Sequence, residues 1–211
     1  LPFRLHAIAR FLSIVLHPLL MPTYTLWLAL HVDPRLGYFL GDQGMLVLLG
    51  MVALMTVAFP LTSTLLLLRA GLISSLEMPD RSERIAPYVM SLLYYGMTWY
   101  LLSRTPLHPA AVLLIPGALI ALLLTTLITL RWKISAHMVG IGGGIGALAA
   151  LGYLHRCPVL EPLSMLLVLA GALGTARLLT SDHTPAQVYA GAALGFASVF
   201  ATLLLRPALP F

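Results

Sequence analysis

Three polar segments interrupt an otherwise apolar chain, and each carries side chains suited to phosphoryl chemistry. The last runs from Ala176 and Arg177 through His183, Thr184 and Pro185 to Gln187 and Gly191. An arginine can fork two oxygens of a phosphate, and an imidazole placed beside it can attack phosphorus. Thr184 before Pro185 is a good helix start, with threonine as N-cap and proline at the first helical position. His183 then sits just before the positive end of a helix dipole, a favourable place for an anion. A structural reading uses the same residues, with Arg177 as a snorkelling span end and Thr184 with Gln187 as a capping box.

The middle segment is Lys133, Ile134, Ser135, Ala136 and His137. Either Ser135 simply caps the next helix, or Lys133 and the Ser135 hydroxyl hold phosphate oxygens while His137 protonates the leaving oxygen. The first segment runs from Glu77 through Asp80, Arg81, Glu83 and Arg84 to Pro87. It reads as a solvated, self-paired loop, or as a phosphate clamp made by Arg84 with help from Arg81. In the second case the acids keep those arginines oriented when no substrate is bound.

What must position these residues is a membrane-embedded scaffold. The chain of 211 residues is 60% hydrophobic and only 9% charged, against about 25% charged in a typical soluble domain. Apolar length predicts seven spans, near 8–31, 44–68, 87–104, 109–131, 136–154, 161–178 and 185–205. The expected fold is therefore an all-α, polytopic transmembrane helical bundle of six to seven spans, forming one integral membrane domain over 1–211. No small-residue cleavage site follows the first apolar stretch, so it is expected to remain as a span. Pro18, Pro22 and Pro60 predict kinks. The glycine run from Gly142 to Gly146 lies inside a span, which favours close helix packing over a phosphate-cradling loop. Odd spacing of the crossings puts the connections at 69–86, 131–136 and 177–185 on one membrane face with the N-terminus, so the three segments can converge.

The remaining polar residues have plainer readings. Links 32–43, 105–108 and 155–160 are short connections. Arg4, Arg10, Arg69 and Arg206 read as membrane-flanking cations. His17, before Pro18, is expected to bond a carbonyl freed by the kink, and His6, His31, His108 and His155 fall near span ends. Tyr94, Tyr95, Trp99 and Tyr100 form either an interfacial belt or the wall of a lipid-tail groove. The twelve cations behind the net charge of +5 are scattered, not clustered, so no nucleic-acid partner is expected. The single cysteine, Cys157, excludes an internal disulfide, and no His/Asp/Glu spacing suggests a metal site.

Together the three segments resemble the type 2 phosphatidic acid phosphatase superfamily, which includes membrane lipid phosphatases, glucose-6-phosphatase and the vanadium haloperoxidases. The family pattern is Lys-x6-Arg-Pro, then Pro-Ser-Gly-His, then Ser-Arg-x5-His-x3-Asp. The third motif fits best, with Arg177, His183 and the ending at Gly191 in register, Ala176 replacing serine and Gln187 replacing aspartate. The second fits at Ser135 and His137, with Ile134 and Ala136 replacing proline and glycine. The first fits at Arg84 alone, since Glu77 stands at the lysine position and Ile85 at the proline position. The resemblance covers about residues 77–191.

The resemblance implies a phosphatase-like core and a hydrolase using no metal and no cofactor. His183 is the implied nucleophile, forming a phosphohistidine, and His137 the implied acid and then base. Arg84, Arg177, Ser135 and Lys133 are the implied phosphate holders. Arg81 or Lys133 supplies the cation missing at Glu77, and Gln187 orients the His183 ring. The implied partners are a membrane lipid phosphate or diphosphate substrate and the lipid bilayer. A lipid phosphotransferase on the same scaffold, or a non-catalytic lipid-binding or transport protein, is the alternative. The expected location is a bacterial inner membrane. The motif face holds eight cations against four on the other, which favours a cytoplasmic site. Setting aside Arg81, Arg84, Lys133 and Arg177 leaves a tie, and the resemblance then favours an outward-facing site.

Overall fold

The computed structural model describes residues 3–180 and 183–205, and among them all regular structure is helical. The helices are α1 (Phe3–Val15), α2 (Met21–Val32), α3 (Asp42–Ala53), α4 (Phe59–Arg69), α5 (Ile85–Leu102), the single turn α6 (Pro109–Val112), α7 (Leu114–Thr129), α8 (Ala136–His155), α9 (Leu160–Leu179) and α10 (Pro185–Leu204). Five segments are long and apolar enough to cross a membrane: Asp42–Arg69, Pro109–Thr129, Ala136–His155, Leu160–Leu179 and Pro185–Leu204. This is a multi-pass, all-helical arrangement, and those five match five of the expected spans.

The other two expected spans differ from simple rods. The stretch 8–31 is broken rather than kinked, because Pro18 has no N–H to offer the preceding turn. The chain turns tightly there, with the His17 amide on the Ile14 carbonyl at 3.3 Å and the Leu20 amide on the His17 carbonyl at 2.9 Å. Pro22 then opens α2 within its first turn. Neither α1 (13 residues) nor α2 (12 residues) reaches the roughly 20 residues needed to span a bilayer alone. The stretch 87–104 forms α5, where Tyr88, Tyr94, Tyr95, Trp99 and Tyr100 thin the apolar character. Pro60 acts as expected, by a specific route. It cannot bond the Thr56 carbonyl, so the helix widens into a π turn over Leu54–Ala58, with the Phe59 amide on the Leu54 carbonyl.

The centre of the bundle is the seam between α8 and α10, against which α2, α7 and α9 also pack. The glycine run packs closely, as expected. A methyl on Gly142 or Gly146 would run into the carbonyl of Ala192 or Phe196, and one on Gly195 into that of Val139. Buried Leu26, Leu102, Ile115, Leu151 and Leu203 fill the core on one side of this seam. By contrast α1 packs along α9 rather than along α4 or α5.

At the C-terminal end of α8 the three short links meet. Asp33, only 2% exposed, receives Arg35 Nε at 2.7 Å and Nη2 at 3.1 Å, and faces His155 Nδ1 at 2.5 Å. Arg35 also donates to the His155 carbonyl at 3.1 Å, and the His108 amide donates to the Leu36 carbonyl at 3.0 Å. Burial alone would raise the Asp33 carboxyl. The hydrogen bonds and charges of Arg35 and His155 outweigh it and hold the group below the usual carboxylate range.

Candidate active site

At the opposite end of α8, some 30 Å away along 20 residues of helix, the three motif segments come together. α10 starts as its sequence dictates, with Thr184 extended (φ −84, ψ 160) and Pro185 in the first turn. The Thr184 amide donates to Gln187 Oε1 at 3.2 Å, and His183 Nδ1 lies 3.0 Å from the same atom. A backbone N–H can only donate, so the atom it meets is the amide oxygen, and His183 Nδ1 must carry the ring proton. Nε2 therefore keeps its lone pair. His183 is buried, and burial is the main cause that pushes its pKa down to about 4. The Gln187 bond opposes that shift, whereas Arg177, Arg84 and Lys133 add to it. Cations from all three segments thus act on one neutral imidazole.

Ser135 occupies the N-cap of α8 in extended backbone (φ −82, ψ 101), yet its side chain makes no cap bond. Its amide instead donates to the Gln187 carbonyl at 3.3 Å, and its fully buried hydroxyl has no protein partner. The two helix starts approach this closely because a Cβ at Gly191 would stand 2.7 Å from the Ser135 carbonyl. His137 follows in the first turn of α8, with Nε2 at 3.0 Å from the Ser13 carbonyl. A carbonyl only accepts, so His137 carries its proton on Nε2 and leaves Nδ1 as the basic nitrogen.

Arg84 and Arg177 each donate to a neutral oxygen. Arg84, 8% exposed, donates Nε to the Met78 carbonyl at 2.9 Å, and Met78 presents that carbonyl from a left-handed backbone (φ 45). Arg177, in the last turn of α9, donates Nη1 to Ser13 Oγ at 3.2 Å. Arg81 donates to the Arg131 carbonyl, and Lys133 Nζ to the Pro79 carbonyl at 3.3 Å. These two bonds tie the first segment to the second. The acids expected to orient the arginines do otherwise. Glu83 accepts from the Ser74 amide and hydroxyl at 2.9 and 3.0 Å, and Glu77 pairs with Arg10 at 2.8 Å. Local charge pairing loses because the loop folds back on the bundle and offers the guanidinium groups carbonyls instead.

A cavity of about 1110 Å³ opens here, above the roughly 300–1,000 Å³ of a drug-sized site. His183, His137, Arg84, Arg177, Ser13 and His17 line its polar end, and Leu61, Tyr95, Leu114, Ile115, Leu122 and Val199 its apolar depth. Ser135, Lys133, Arg81 and Gln187 stand outside the lining and touch it through their neighbours. Among the described residues no cluster of three His, Cys, Asp or Glu side chains is arranged to hold a metal ion.

Sequence reasoning missed the contribution of α1. His6, Arg10, Ser13 and His17 all line the cavity, and their spacing of four, three and four puts them on one helical face. That spacing was the available signal. Arg10 is no mere flanking cation, since it reaches across to Glu77. His17 does not bond a freed carbonyl through Nδ1. That nitrogen accepts the Leu19 amide at 3.3 Å, while the ring stands edge-on to His137 with centroids 5.4 Å apart. The side chain of Arg4 and all of Arg206 lie outside the described residues. No family model, curated protein or solved structure matches this chain, so the resemblance to the phosphatidic acid phosphatases rests on the motifs.

Proposed function

We propose that this chain is an integral membrane phosphatase that hydrolyses a lipid phosphate or diphosphate through a phosphohistidine at the membrane surface. One observation carries the reading. A buried neutral histidine with its Nε2 lone pair available stands at the polar end of a cavity whose depth is apolar, with Arg84 and Arg177 in the same lining and Lys133 near enough to act on its charge. A charged head with a buried tail suits that shape.

In this reading His183 Nε2 attacks phosphorus, forming an N–P bond as the bond to the lipid oxygen breaks. His137, which takes up a proton from water on Nδ1 as the anionic head group binds, gives that proton to the departing oxygen. Water then attacks the phosphohistidine and loses its proton to His137 Nδ1, releasing phosphate and restoring neutral His183. Arg84 and Arg177, with Ser135, Lys133 and Arg81 behind them, offset charge on the equatorial oxygens. Gln187 keeps the proton on His183 Nδ1 throughout. The scaffold in this reading crosses the bilayer six to seven times, with the broken α1–α2 pair and α5 completing the five long spans. A bacterial inner membrane with an outward-facing site follows from the resemblance.

Phosphate release by purified wild type and His183→Ala, over a panel of lipid phosphates and diphosphates, tests the proposal. Wild-type release that falls by about 10³-fold or more in the variant is expected. Full activity in a folded His183→Ala protein would overturn it. A second reading, binding of anionic lipid without chemistry, draws on Ser13, which engages both His137 Nε2 and Arg177. It predicts no release but lipid binding that is lost in Arg84→Gln.

A further inference from the structure

The polar stripe of α1 ends at a rim that the phosphate site leaves unexplained. Arg10 and Glu77 both line the cavity and pair across it at 2.8 Å, with side chains 72% and 76% exposed. α1 packs mainly on α9, and the Arg10–Glu77 pair is a polar tie from α1 to the 70–84 connection. Arg10 and Arg84 are anchored on consecutive residues of that connection, Arg10 on the Glu77 carboxylate and Arg84 on the Met78 carbonyl. Their anchors are therefore one Cα step, about 3.8 Å, apart.

Charge decides what such a rim can take. A phosphate monoester carries about −1.5 to −2 charges near pH 7, which Arg84 and Arg177 can balance. A second phosphate on the same head group adds charge those two do not balance; Lys133 and Arg81 stand outside the cavity lining, whereas Arg10 lines it at the rim. Arg10 is the cation waiting there. An exposed ion pair is worth only about 0–1 kcal/mol, so a phosphate can take the guanidinium from Glu77 at little cost and gain a forked, charge-assisted contact.

We infer that Arg10, presented by Glu77, is a second anion subsite that binds the phosphate beyond the reacting one, so that the site selects lipid diphosphates over lipid monophosphates. This rests on the phosphoryl-transfer reading of the site and extends it to α1. Glu77 acts as the competitor that holds Arg10 in place until the second phosphate arrives.

The test uses the full chain in detergent, with inorganic pyrophosphate and inorganic phosphate as head-group probes in thermal-shift titrations. Wild type is expected to bind pyrophosphate at least about tenfold tighter than phosphate. Arg10→Gln is expected to erase that preference, and Glu77→Gln to strengthen it, because removing the competitor frees Arg10. A merely structural ion pair would make both substitutions act in the same direction, and that result overturns the proposal. Equal binding of the two probes by wild type overturns it as well. In turnover assays the ratio of diphosphate to monophosphate kcat/KM is expected to fall about tenfold in Arg10→Gln. His183→Ala separates the two ideas. Loss of release in that variant with no change of ratio in Arg10→Gln sinks the subsite alone. Absence of any release with an Arg10-dependent pyrophosphate preference sinks the phosphatase alone.

Discussion

The two ends of α8 are built from the same kinds of side chain and come out opposite. At the C-terminal end Arg35 and His155 meet around Asp33, so that a carboxylate answers the guanidinium. At the N-terminal end Arg84 and Arg177 with His137 and His183 line the cavity, and each has a neutral oxygen among its partners. One buried aspartate turns the first set into a clasp. Among the described residues, Arg84, His137 and His183 of the second set are tied to neutral oxygens, which leaves cations beside two imidazoles. Positive charge held by neutral dipoles keeps its reach; positive charge held by a carboxylate does not.

The comparison can be broken most sharply at His183. His183→Ala should abolish phosphate release, by about 10³-fold or more, whereas Asp33→Asn should leave release intact, and equal losses from both would erase the distinction. Next in size, Arg84→Gln should lower kcat/KM about 10²-fold, the scale of losing one donor to a developing anion, as measured with any substrate that wild type turns over. A pH profile reads the electrostatics directly. Protonated His183 has no Nε2 lone pair, so kcat/KM should rise with pH through about 4, and fall again at higher pH as His137 loses the Nδ1 proton it must donate. Gln187→Glu keeps both acceptor bonds but adds a charge, and should move that acid limb up by about 1–3 pH units. No movement would mean that Gln187 does not orient the ring. The smallest effect belongs to the clasp, where Asp33→Asn should cost about 1–3 kcal/mol of stability, seen as a lower Tm.

The same histidine links activity to stability. Its folded value lies below the ordinary 6.5, so the unfolded chain binds the proton more readily. The contribution is fully present above about pH 6.5 and is lost as pH falls toward 4. Acid should therefore weaken the fold in the same window in which it silences the nucleophile.

What was legible in the chain is what local pattern encodes. Apolar length located the five long spans to within a few residues, the glycines from Gly142 to Gly146 marked the tight seam, and Thr184 and Pro185 marked the start of α10. The convergence of the segments that carry His183, Arg84, Arg177 and Lys133 was expected from seven crossings, of which five are seen as long apolar helices. Partners set by long-range packing were not. Nothing within a few residues of Asp33 announces His155, 122 positions away, and nothing near Glu77 announces Arg10. Pro18 signalled a bend, but a break and a kink differ only in how the following turns find acceptors. The stripe of His6, Arg10, Ser13 and His17 was legible in principle, and its apolar neighbours Ile8, Phe11 and Ile14 concealed it.

The seam between α8 and α10 has a mechanical consequence. Backbones locked at Gly142, Gly146, Gly191 and Gly195 leave no room for one helix to slide on the other. The two histidines sit at the starts of these helices, so they belong to a single stiff block. On the proposed mechanism, whatever moves to admit a substrate is then the surround, α1 and the 70–84 connection, while His183 and His137 stay in register. A stator of this kind spares the reaction the reorganisation that a mobile pair of groups would demand at every turnover.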